Sequence, residues 1–135
     1  MNDRYLFKAK SLDNGEWVTG SLITCEDGTC KIATSLLEGK ADEPILVCAY
    51  DVDRDTICQC AGLRDKNSKL IWENDIVWDS DERAFYEIIW NQEDMCWNVE
   101  DADGHKSEFE ECYGSTIEVN GNIFDNKELL ESEEK

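Results

Sequence analysis

Apolar and polar residues alternate over Tyr5-Leu6-Phe7-Lys8-Ala9-Lys10, which puts Tyr5, Phe7 and Ala9 on one face of a half-buried strand. Asp13-Asn14-Gly15 follows. Asn-Gly accepts positive φ at both central positions, so it predicts a tight turn. Residues 16–19 and 21–24 return, with Gly20 marking a bulge or a close approach of another backbone. Residues 25–29 form a second turn and 30–34 a short strand. Residues 36–44, which hold the only proline, Pro44, read as a loop with one helical turn. The continuous apolar run 45–50 predicts a strand buried on both faces.

Residues 59–77 repeat the alternation of runs and breaks most sharply. An apolar run around Leu63 and another from Leu70 to Trp72 flank the polar knot Asp65-Lys66-Asn67-Ser68-Lys69. Asp, Asn and Ser hydrogen-bond their own backbone, so the knot is a hairpin turn. Asn74-Asp75 is the next turn and Ile76-Val77-Trp78 the next strand. Residues 84–90 and 96–99 form a further hairpin. Tyr86, Ile88 and Trp90 share one face, Phe85 and Ile89 the other, and Trp90 faces Trp97 for ~0.2–1 kcal/mol. Residues 101–104 turn, 106–112 are acidic without a clear period, and 117–119 form a strand ending at Asn120-Gly121. Asp125-Asn126-Lys127-Glu128 has capping-box spacing before Leu129-Leu130, which predicts a short closing helix. Short strands punctuated by turns, with no long linker, predict an all-β fold. The expected architecture is an antiparallel barrel or sandwich with a short C-terminal helix. One domain spans residues 1–130, and 131–135 form a frayed acidic tail.

The central run resembles the motif of the YopX family of phage and prophage proteins. That family's pattern is Gly-Leu-(Lys/Arg)-Asp-Lys-Asn-Gly-Lys-x-Ile-Tyr-Glu-Gly-Asp-Ile-Val. Here Gly62, Leu63, Arg64, Asp65, Lys66, Asn67, Lys69, Ile71, Glu73, Asp75, Ile76 and Val77 stand in register. The chain departs at Ser68 and Asn74, where the family usually has Gly, at Trp72 for Tyr, and at Cys60-Ala61 for a Tyr-Thr pair. Asn74 tolerates a left-handed backbone; Ser68 does so less easily, which suggests a different first turn. Phe7-Lys8-Ala9 and Trp17-Val18-x-Gly20 resemble the family's opening strands. Residues 117–130 resemble its closing segment, so the likeness spans nearly the whole chain. The resemblance implies a fold and a phage or prophage setting, and no particular reaction.

Charge changes the picture most. The net charge is −19, from 32 acidic and 13 basic residues. Residues 73–111 carry 14 acidic and 2 basic side chains, whereas residues 1–24 carry three of each. Such a surface repels phosphate backbones, which argues against direct nucleic-acid binding. It suits a basic protein partner, though acidity also simply keeps a protein soluble. With 41% hydrophobic residues and five Trp, the chain is too apolar to be disordered. No apolar run approaches the ~20 residues of a membrane helix. The first residues lack a secretory pattern and the seven cysteines are odd in number. A reducing cytoplasm with free core thiols is the expectation.

The constellations that carry chemistry fall short of a site. Asp51-x-Asp53-x-Asp55 matches the first three positions of a calcium loop, but Thr56 and Gly62 stand where Gly and Glu are needed. Cys25 and Cys30 fit one zinc knuckle; Cys58 and Cys60, one residue apart, do not complete it. His105 is the only histidine and has no nucleophile beside it in sequence. Phosphate-loop and dinucleotide patterns are absent. The expectation is therefore no cofactor, no metal and no catalytic residue.

Turn and core chemistry accounts for most of residues 59–77. Three cations remain, Arg64, Lys66 and Lys69, a basic spot on an acidic protein. They are the candidate interaction residues. The leading expectation is a non-enzymatic phage or prophage accessory protein that self-associates through this spot and the acidic half. A nucleic-acid-mimicking decoy for a basic host or phage protein is the alternative, and a small metal-dependent hydrolase the second.

Overall fold

The computed structural model describes residues 5–35, 47–109 and 115–131. The loop expected at 36–44 therefore lies outside the described residues, as do Ile45, Leu46, Cys112 and residues 132–135. The fold is all-β, with two antiparallel sheets, as the pattern predicts. The chain divides into two compact units, Met1–Cys60 and Ala61–Lys135.

The first unit holds β1 (Phe7–Lys10), β2 (Trp17–Thr24), β3 (Cys30–Ser35), β4 (Val47–Val52) and the start of β5 (Cys58–Arg64). They lie in the order β4-β3-β2-β1-β5. Gly20 is the close approach: a Cβ there would overlap the Ala33 carbonyl of the neighbouring strand. Ser11 bridges Val52, the Leu12 amide donates to the Asp51 carbonyl, and the Asp53 amide donates to the Lys10 carbonyl. The far end of β4 thus curls back to the end of β1. Inside the curl, Ala9, Cys30, Ile32 and Val52 are buried against Phe7, Val18, Leu22 and Ile57. Lys8 and Lys10 point the other way and lie over the Trp17 ring at 4.8 and 5.5 Å.

Two expectations change here. Only Gly15 of the Asn14-Gly15 pair has positive φ, because the loop closes from Ser11 to Glu16 rather than as a two-residue turn. The run into Tyr50 is not buried on both faces: Ala49 and Tyr50 are exposed, because β4 is the outermost strand of its sheet.

The second unit contains the end of β5 and six strands. They are β6 (Leu70–Trp72), β7 (Asp75–Asp79), β8 (Ala84–Asn91), β9 (Cys96–Glu100), β10 (Lys106–Glu108) and β11 (Ile117–Asn122). Five of them form a sheet in the order β10-β9-β8-β7-β11. Ile71, Val77, Ile88, Val99 and Ile117 make the core, with Leu63, Tyr86, Trp97 and Val119 packed against it. Burying each such large aliphatic side chain stabilises the fold by about 1.5–3 kcal/mol. Trp90 and Trp97 pair in register, edge to face, with centroids 5.2 Å apart, as the alternation predicts.

The chain's end departs from expectation once. β11 does not stop at Asn120-Gly121; a bulge between Val119 and Gly121 absorbs Asn120, and pairing with β7 resumes. The short closing helix is present as expected, as a five-residue 3₁₀ helix, Lys127–Glu131. Asn122 organises the approach to it, accepting the amides of Phe124 and Asp125.

Candidate functional site

Residues 64–69 form the turn between β5 and β6. Asp65, 6% exposed, is its centre. Its Oδ1 accepts the amides of Asn67 and Lys69, each at 2.9 Å, and its Oδ2 accepts the amide of Val119 at 2.9 Å. One carboxylate therefore closes the turn and fastens it to a strand 54 residues on. The Lys66 amide adds a bond to the Ile117 carbonyl. Ser68, at φ 66°, adopts the left-handed backbone that its own chemistry resists. The sequence suggested a different turn here; Asp65 is what overrides the local preference.

This turn brings the three predicted cations together and leaves all three exposed. Arg64 donates to the Ser68 carbonyl at 2.8 Å. The Lys66 ammonium lies 3.8 Å from Glu118. Lys69 points from the last position of the turn. The basic spot is thus a surface presented on a hydrogen-bonded hairpin rather than a scatter of charges.

The metal candidates each take part in local structure. Asp51 sits on β4 and pairs across the strands with Lys31 at 2.5 Å, holding that ammonium above its ordinary pKa. The Asp53 side chain accepts the Asp55 amide and starts the 3₁₀ turn Arg54–Thr56. Cys25 lies in the second turn, while Cys30 faces the first unit's core and is 4.0 Å from the Gly28 carbonyl. No disulfide joins the six cysteines among the described residues.

Among the described residues, Asp101, Asp103 and His105 do converge, with ligand atoms within 4.8 Å. Asp101 accepts the amides of His105 and Asp103, and its other oxygen lies 3.2 Å from His105 Nδ1. These bonds, led by the His105 amide, hold the Asp101 carboxyl below its usual range. They describe a well-made exposed turn, the ordinary reading of Asp-x-Asp-Gly.

A cleft of about 770 Å³ belongs to the first unit. Leu12, Tyr50, Asp13, Asp53 and Arg54 line it. It is open and mixed in character, and Ser11, Thr29 and Cys30 line it together with Asp51.

Two features escaped the sequence. One is the reach of Asp65 to Val119. The other is the tip between β8 and β9, where Met95 is 65% exposed at φ 55° beside Trp90, 37% exposed. A bulky residue where a hairpin loop favours Gly or Asn is the signal that finds it.

Among the described residues, no helix is long and apolar enough to cross a membrane. No curated protein matches this sequence. The model of the family described as YopX protein matches residues 6–131, nearly the whole length, and the chain belongs to that family.

Proposed function

We propose that this chain is a phage- or prophage-encoded, non-enzymatic accessory protein that acts through protein–protein contact, first of all with copies of itself. The observation that carries the reading is the exposed Arg64–Lys66–Lys69 turn on a chain of net charge −19. Three cations held on a hydrogen-bonded hairpin meet a complementary surface wherever a second copy presents its acidic residues. Charge complementarity of this kind fixes orientation and speeds encounter. Family membership supports the phage setting, and the lack of a disulfide among the described cysteines suits a reducing cytoplasm.

Light scattering on the purified chain at low salt tests this reading. The expected mass is an integer multiple of one chain, falling as salt rises, because exposed charge pairs are screened. A single-chain mass at all protein concentrations and all salts refutes it. The acidic surface of residues 73–108 keeps the decoy reading in play. A low-salt pull-down from host lysate that releases a basic nucleic-acid-binding protein as salt rises is the outcome that favours it.

A further inference from the structure

The second unit has two unlike poles. Lys66 binds the carbonyl of Ile117, Ile117 pairs with Asp79, and Asp79 pairs with Ala84. The basic turn is therefore level with the start of β8. Trp90 lies six residues further along that strand, about 20 Å at the strand rise. The tip between β8 and β9 is thus at the opposite end of the same sheet. A copy cannot place its own tip on its own basic turn.

The tip is built unlike an ordinary hairpin loop. Trp90 and Trp97 stack edge to face, and Trp90 Nε1 donates to Gln92. Gln92 Nε2 in turn lies 3.7 Å from the Met95 sulfur. Asn91 accepts the Asp94 amide and donates to the Asp94 carboxylate, which fixes the loop. Glu93 and Asp94 are exposed on it. Met95 occupies the left-handed position, where Gly would be relaxed, yet its side chain projects into solvent. Backbone strain that leaves a large apolar side chain uncovered is a mark of a contact surface. Exposed aromatic and thioether groups ringed by carboxylates suit a partner with cationic side chains, which stack on Trp faces as well as pair with acids.

We infer that the β8–β9 tip of one copy docks on the Arg64–Lys66–Lys69 turn of a second copy. This rests on the self-association proposed above and names its two surfaces. Charge selects the pairing: tip against tip brings Glu93 and Asp94 onto their counterparts, and turn against turn brings three cations onto three. The turns at Asp79–Arg83 and Asp101–His105 are at the same end as the basic turn, so their carboxylates repel a misplaced tip and confine it to the β11 side. The two surfaces differ and lie at opposite ends of the sheet, so the contact either repeats head to tail, closing a ring or extending a chain of copies, or is made twice in a two-fold antiparallel pair.

Two charge reversals on the full chain test the contact by light scattering at low salt. Glu93→Lys with Asp94→Lys, and Lys66→Glu with Lys69→Glu, should each weaken assembly roughly tenfold or more. All four together should restore it. Met95→Gly gives the second arm, because it removes the strain and the contact at once. It should raise the melting temperature while weakening assembly. Wild-type assembly that neither reversal alters overturns this contact and leaves self-association standing. A wild type that is monomeric overturns both. Met95→Gly that melts higher and assembles as before also overturns it.

Discussion

The two units solve the same problem, turning a strand, with the same chemistry at different depths. In the first unit Asp27 closes its turn by accepting the Thr29 amide and hydroxyl, and it does so in water. Among the described residues of that unit, the left-handed positions are Gly15 and Gly28. The second unit puts Ser68, Asn74, Arg83 and Met95 in left-handed positions as well. Three of those turns contain a buried aspartate: Asp65, Asp75 and Asp79 are 6%, 2% and 4% exposed. Asp75 accepts the Trp72 amide, and Asp79 accepts the Asp81 amide. Glycine lets a turn form cheaply. A buried carboxylate forces one against the preference of the residues in it. The fourth turn, at Met95, is braced by Asn91 instead, and it is the one with an exposed aromatic surface.

The largest expected break in this comparison is Asp65→Ala. Three amides lose a charged acceptor, so unfolding by urea should show a loss of about 3 kcal/mol or more. Asp27→Ala in the first unit should shift the transition far less, because water replaces the lost acceptor. Next comes Gly20→Ala, where the overlap with the Ala33 carbonyl should remove about 1–3 kcal/mol on thermal unfolding. The first unit thus depends on a missing side chain where the second depends on a present one.

Ser68→Gly should run the other way. It relieves the φ 66° backbone and should raise stability by about 1 kcal/mol. The smallest effect belongs to Glu87→Gln. Burial first, then Glu100 directly across the strands, pushes the Glu87 carboxyl above its ordinary 4.5. A raised carboxyl binds more protons in the folded state, so stability falls as pH rises through that window. Glu87→Gln should therefore raise the melting temperature at pH 7, and the gain should shrink to nothing below about pH 4.

Much of this was legible in the chain. The strand order within residues 59–77, the Trp90–Trp97 pair and the tight approach at Gly20 follow from alternation and turn residues, which are local. What local pattern could not show is where a side chain's partner lies far away in sequence. Ser68 argued against a left-handed turn on its own merits, and Asp65, held between the Asn67, Lys69 and Val119 amides, reverses that. The bulge at Asn120 and the buried role of Asp79 are likewise settled by β7 and β11 pairing, not by neighbours. The basic turn was legible as charge. Its bracing, and the acidic aromatic tip at the other end of the sheet, needed the register of β7, β8 and β11.

Amide hydrogen exchange on the wild-type chain tests the bracing most directly. The Asn67, Lys69 and Thr29 amides all belong to turns and all point at a carboxylate. If burial of Asp65 is what makes its turn a rigid platform, Asn67 and Lys69 should exchange only with global unfolding of their unit, while Thr29 exchanges orders of magnitude faster by local opening. Exchange of Asn67 and Lys69 at the Thr29 rate would contradict the account.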